Sequence, residues 1–320
     1  MNNLLVVLLL TAAALFGQEY PKARIANGSI QAELYLPDVQ KGYYRATRFD
    51  WSGVVRSLKF KGHEYYGVWF PKHDPLIHDA ITGPVEAFET SGAGLGYDQA
   101  KPGGSFVRIG VGLLEKPEEA AYRFATTYKM VDPGKRSVKK GKDWIEFVQE
   151  LPDKIGYAYV YTKRISLTRG KPEMVLSRTL KNTGSKVIDT TPYDHNFFVI
   201  DGQPSGPGFL LRFPFEPRTA ADLRGLVELR GHEIRYLKEF QGNESILVPV
   251  EGYQPAAGQN EIVVENRTTG ASVKITGDRP LEKLNFWTRR ETVCPEPYIR
   301  LRIEPGQTEK WETRYLFYAL

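Results

Sequence analysis

The chain has 320 residues, of which 41% are hydrophobic, 25% charged and 12% aromatic. These fractions exclude a fibrous or wholly disordered protein, and the length is enough to bury a full core. Forty-three Lys and Arg against 38 Asp and Glu leave a formal charge of +5, spread too thinly for the basic stripe of a nucleic-acid binder. The single cysteine, Cys294, rules out an intramolecular disulfide and any multi-cysteine zinc or iron–sulfur centre.

In chain order, the first element is the apolar run Met1 to Gly17 (MNNLLVVLLLTAAALFG), after which polarity returns at once. It is too short to span a bilayer stably and reads as a secretory signal peptide cleaved near Gly17, the alternative being an uncleaved N-terminal anchor. Residues 18–320 are then expected as one exported β-domain, periplasmic or extracellular, with no stable membrane insertion after cleavage. The oligomeric state is not legible.

From residue 29 onward most segments alternate polar and apolar residues. Examples are Ser29–Leu36, Ser57–Lys61, Phe106–Val111, Trp144–Gln149 and Ala158–Ile165, then Glu261–Glu265, Ala271–Ile275, Tyr298–Ile303 and Trp311–Phe317. Period two is the mark of half-buried antiparallel strands. Turn chemistry punctuates them at Asn27-Gly28, Lys61-Gly62, Asp132-Pro133-Gly134, Lys140-Gly141, Asn182-Thr183-Gly184 and Pro305-Gly306. Only Glu115–Tyr122 and Ala220–Leu229 offer helical candidates. The cationic cluster from Lys135 to Lys142 reads as a solvated hairpin turn. His73 to Gly104, rich in Gly, Pro and Asp, breaks the rhythm and predicts a long irregular loop, of the kind usually kept for function. The fold class expected is all-β, a large antiparallel sandwich.

No nucleophile elbow, P-loop, His-Glu-x-x-His or dinucleotide fingerprint occurs. Cys294 reads as a strand cysteine and not as an activated thiol. Two segments stand out. In Thr191-Pro192-Tyr193-Asp194-His195-Asn196-Phe197-Phe198 a histidine lies between an acid and an amide, which suits a held imidazole or a packed strand-end residue. In Asn285–Tyr298, Glu296 sits between Pro295 and Pro297, a conformationally fixed carboxylate that suits a positioned base or a solvated turn.

An Asp-His-x-x-Phe strand in mid-chain, followed about 100 residues later by a Glu-Pro strand, resembles the aldose 1-epimerase (galactose mutarotase-like) superfamily. The opening Trp51–Leu58 and Gly62-His63-Glu64 segment and the closing Ile303-Glu304-Pro305-Gly306 with Trp311 are similar to its first and last hairpins. The resemblance is to exported members of that superfamily rather than to its cytoplasmic galactose branch.

The resemblance implies an isomerase that interconverts sugar anomers, with no metal and no cofactor. His195 would be the acid toward the ring oxygen and Glu296 the base on the anomeric hydroxyl. An imidazolium and a carboxylate would coexist near neutral pH, tuned by Asp194 and the pocket. Arg48, His78, Glu86, Asn196 and Trp287 are the candidate sugar-binding residues, His73 and His63 being weaker choices for the second histidine and Tyr97 a further stacking candidate. The alternatives are a non-catalytic carbohydrate-binding sandwich and a polysaccharide-cleaving hydrolase or lyase, the last needing a second carboxylate such as Asp194 or Glu86.

Overall fold

The computed structural model describes residues 19–319, and the signal-peptide expectation for residues 1–17 lies outside them. Strands dominate, with two 3₁₀ turns, Ile200–Gly202 and Ala257–Gln259, as the helical elements among the described residues. None of these is long and apolar enough to cross a membrane. The alternating segments become antiparallel strands, as in Ile30–Tyr35, Val54–Phe60, Trp144–Leu151 and Tyr159–Leu167. The Asn27-Gly28 turn closes the first hairpin. Asn27 Oδ1 accepts the N–H groups of Ser29 and Ile30, both at 2.9 Å, and Gly28 takes φ +93°, where a Cβ would be strained.

Two large sheets set the architecture. A ten-stranded sheet runs Val227–Arg230, Glu233–Tyr236, Phe209–Arg212, Glu261–Asn266, Ala271–Gly277, Thr308–Ala319, Glu173–Asn182, Tyr159–Leu167, Trp144–Leu151 and Lys135–Lys140 in spatial order. A second runs Ser245–Pro249, Lys283–Arg289, Thr292–Tyr298, Ile188–His195 and Leu301–Ile303, with Val85–Glu89 also paired to Ile188–His195. A four-stranded sheet (Lys22–Ala26, Ile30–Tyr35, Val54–Phe60, His63–Glu64) and a three-stranded one (Ser105–Arg108, Gly112–Glu115, Met130–Asp132) complete it. The apolar core includes Leu34, Leu58, Ile165, Leu176, Phe286 and Phe317, all essentially inaccessible. Burial of that surface is the main driving force in a chain with one free thiol.

Three expectations are corrected. Neither helical candidate is a helix: Glu115 ends a strand, and Val227–Leu229 begin another. The irregular loop from His73 contains the strand Val85–Glu89, whose run of buried residues fits a strand covered on both faces and hides the period. The cluster at Lys135–Lys140 is the edge strand of the ten-stranded sheet, where lysines discourage pairing with another chain. Its Arg136 turns inward to the Gly110 and Val111 carbonyls and lies over Trp51.

Candidate active site

The candidate site lies on one face of three neighbouring strands. Lys283–Arg289 pairs with Thr292–Tyr298 so that Lys283 faces Tyr298, Asn285 faces Glu296, and Trp287 faces Cys294. Thr292–Tyr298 pairs with Ile188–His195 at Tyr193 and Tyr298, and a bridge joins Phe198 to Val293. The same register sets His195 beside Glu296 and Phe197 beside Cys294. Because side chains alternate across a strand, Tyr193, His195 and Phe197 share a face with Cys294, Glu296 and Tyr298, and with Lys283, Asn285 and Trp287. This face floors a cavity of about 300 Å³, whose walls include Arg48, Asp79, Glu89, Phe124 and Leu247. Its mix of rings and a few convergent polar groups is the composition of a small-molecule site.

At its centre His195 Nε2 is 3.2 Å from Glu296 Oε1, and both residues are buried. The other Glu296 oxygen accepts the Tyr298 hydroxyl at 3.2 Å and faces Asn285 Nδ2 at 3.5 Å. His195 Nδ1 is 2.7 Å from Cys294 Sγ. The imidazole is stacked on Phe197 with ring centroids 3.8 Å apart, and meets the edges of Phe49 and Trp287 at 5.4 and 5.5 Å. That aromatic enclosure buries most of the ring and leaves its Nε2 side towards Glu296 and the cavity.

Desolvation sets the charge states here. Burial, followed by the Arg48 cation, pushes His195 well below its usual range, and Asp79 opposes this only in part. Burial raises Glu296 to about 7, against the pull of Arg48, Tyr298, Asn285 and Lys283. At neutral pH the imidazole is uncharged and the carboxyl is poised at its own titration point, a usual condition for a group that moves protons.

Arg48 anchors the opposite wall. It pairs with Asp79 and lies over the rings of Phe49 and Phe124, and Asp79 is also 3.0 Å from His78 Nε2. Gly83 permits the segment leading into Val85–Glu89 to press against the end of the Ile188–His195 strand, since a Cβ there would stand 2.1 Å from the Asn196 carbonyl oxygen.

No family model matches the sequence, and neither does any curated protein. Solved structures do match. A galactose mutarotase-like protein of Clostridium acetobutylicum superposes with a TM-score of 0.56 at 14% identity, over 93% of this chain and 95% of that one. A galactose mutarotase-like protein of Lactobacillus casei gives 0.54 at 14% identity, over 93% and 100%. The GalM/aldose epimerase homologue of C. elegans gives 0.51 at 9% identity, over 94% and 100%. This chain has the galactose mutarotase-like fold.

Within that fold the expected site residues separate into three groups. His195, Glu296, Arg48 and Trp287 converge on the cavity. His78 stands one step back, reaching it through Asp79. Glu86 and Asn196 do not reach it, and the pleat is the reason. Asn196 is one residue out of phase with His195, and Glu86 three residues out of phase with Glu89, so each points through the sheet. Asn196 donates to the Pro295 carbonyl at 2.7 Å and accepts the Tyr315 hydroxyl at 2.9 Å. Glu86 is clamped by Arg178 Nε at 2.8 Å and Lys163 Nζ at 3.1 Å, and accepts the Tyr161 hydroxyl.

Asp194 belongs to the same interior network, held by Arg178 at 2.5 Å and Thr313 at 2.9 Å. It faces away from the imidazole and does not tune it, and the coexisting imidazolium expected beside it is replaced by a neutral ring. His63 pairs with Asp201, His73 stacks on Tyr43, and Tyr97 packs on Phe106, all outside the cavity. The residues that sequence reasoning left without a role are Tyr193, Tyr298, Asn285, Lys283, Cys294, Asp79 and Glu89. Period-two counting from His195 and Glu296 identifies Tyr193, Cys294 and Tyr298. Asp79 and Glu89, on the irregular segment, carry no such signal.

Proposed function

We propose that this chain is an aldose 1-epimerase-like isomerase, exported by its apolar 1–17 segment, that interconverts the anomers of a sugar held against His195 and Glu296. The observation that carries the reading is the contact of a buried imidazole and a carboxyl raised to about 7, at 3.2 Å, on the floor of a cavity edged by Trp287 and Arg48. Anomer interconversion moves one proton between two oxygens of the same carbon. The Glu296 carboxylate takes the proton of the anomeric hydroxyl, C1=O forms, and the bond from C1 to the ring oxygen breaks. Glu296 returns the same proton to the ring oxygen, so the open aldehyde is neutral and no proton is left over. Rotation about C1–C2 and the reverse steps close the ring on its other face.

In this scheme His195 stays neutral and offers a hydrogen bond to the charge growing on the ring oxygen, a role an uncharged imidazole fills in a buried site. Trp287 supplies an apolar face for the sugar ring, and Arg48 with Asp79 binds hydroxyls. The two carboxylates expected as partners for Glu296 in cleaving a glycosidic bond, Asp194 and Glu86, face the interior network, and the carboxylates that share the cavity with Glu296 are Asp79, paired with Arg48, and Glu89. The test is anomer interconversion by the wild type beside His195→Asn and Glu296→Gln. Loss of acceleration in both folded variants supports the reading, and unchanged rates overturn it.

A further inference from the structure

The neutral imidazole just described can act as a donor only if its proton is on Nε2, and the structure contains a group that decides this. We propose that Cys294 is a positioning residue that fixes His195 as the Nε2–H tautomer. The inference rests on the anomer-interconversion reading for its kinetic consequence, but the tautomer itself does not depend on that reading.

Cys294 is completely buried, and its Sγ lies 2.7 Å from His195 Nδ1. The sulfur receives the Phe197 N–H at 3.3 Å. Phe197 takes φ +42°, a left-handed conformation uncommon for an aromatic residue. It lies two residues beyond the Ile188–His195 strand, where the chain turns away while the Phe197 amide hydrogen meets the sulfur. Burial keeps Cys294 a thiol, so it has one hydrogen to place. With an amide already donating to the sulfur, His195 Nδ1 is the acceptor in reach, and S–H donates to it. Nδ1 is then unprotonated and the ring hydrogen sits on Nε2.

The far side of the ring gives the same answer. Nε2 faces Glu296 Oε1 at 3.2 Å, and when Glu296 is ionised that oxygen can only accept. The opposite tautomer would leave the thiol hydrogen without a partner and set two acceptors against each other. The titratable and charged groups around His195 are Cys294, Glu296, Arg48, Asp79 and Tyr193. The two within hydrogen-bond distance of its nitrogens, Cys294 and Glu296, are assigned complementary roles by this arrangement.

His195, Cys294 and Glu296 each offer one ligand atom within 4.8 Å of the others. In the present arrangement the thiol addresses Nδ1 and the carboxylate Nε2 of the ring.

The experiment is ¹⁵N NMR of the histidine ring nitrogens in the full chain, with kinetics on the same samples. Wild type is expected to show a protonated Nε2 and an acceptor Nδ1 at neutral pH. Cys294→Ala should relax this into a mixture of tautomers. It should also lower kcat about tenfold with KM within about twofold. Cys294→Ser, whose hydroxyl can make the same donation, should restore both. A wild-type ring protonated on Nδ1 overturns the proposal whatever the activity, and so does Cys294→Ala with an unaltered tautomer. Should Cys294→Ala fail to fold, the wild-type and Cys294→Ser spectra still decide. The expected tautomer without any sugar turnover would leave Cys294 in its role and remove the isomerase reading alone.

Discussion

Replacing Glu296 with Gln should make the protein more stable while abolishing its activity, and the size of the gain follows from the site. Glu296 is raised from its ordinary 4.5 to about 7, chiefly by burial. Such a shift corresponds to roughly 3 kcal/mol of lost stability once the group is ionised in both folded and unfolded states. The sign is that of a buried acid. Below about pH 4 both states hold the proton and there is no penalty. As pH rises from 4.5 to about 7 the unfolded chain ionises first, so stability falls across that window and the deficit then stays constant. Glutamine keeps the shape and never ionises. In urea titrations Glu296→Gln should match wild type near pH 4, where its amide replaces a carboxylic acid, and exceed it by roughly 3 kcal/mol at pH 8. A variant no more stable than wild type at pH 8, or a difference that does not change between pH 4 and 8, would refute the argument that burial and not a salt bridge sets this carboxyl.

Other outcomes follow from the same geometry. The rate of anomer interconversion should rise with pH through about 7 as Glu296 ionises among Arg48, Lys283, Tyr298 and neutral His195, then stay level. A rate that falls above pH 7 would point instead to an imidazolium acid. Arg178→Met would strand the Glu86 and Asp194 carboxylates in the interior, and denaturant titration at pH 7 should register a loss of about 3–5 kcal/mol. A loss under about 1 kcal/mol would show that the network is not held by its ion pairs. Trp287→Ala should raise the sugar KM about tenfold, by removing a ring face from the cavity. An unchanged KM would place the sugar elsewhere.

The alternation of Trp144–Gln149 or Glu261–Glu265 announces a strand without tertiary knowledge, because one face meets the core and the other meets water. It failed where both faces are covered. Val85–Glu89 has buried residues in succession, and Glu173–Asn182 carries Arg178 into the interior, so neither reads as amphipathic. His195 and Glu296 were legible because each sits in an unusual local context within a family-like order. Proximity in sequence does not identify their partners, because the pleat alternates faces: Asn196 is adjacent to His195 in the chain and on the other side of the sheet. Asp194, on the other side of His195, likewise faces Arg178 and Thr313. Cys294 is two residues from Glu296 and therefore on its face, yet its significance depends on a cross-strand register that no single segment contains. The Asp79–Arg48 pair joins two stretches without period, and only the folded chain brings them together.

The most direct test of the proposed activity is NMR of anomer interconversion, starting from freshly dissolved α-glucose, α-galactose and a uronate, at pH 8. The expected result is acceleration above the buffer rate for at least one sugar, abolished in Glu296→Gln and strongly reduced in His195→Asn, with both variants folded. No acceleration on any of the three sugars, or full activity in Glu296→Gln, would contradict it.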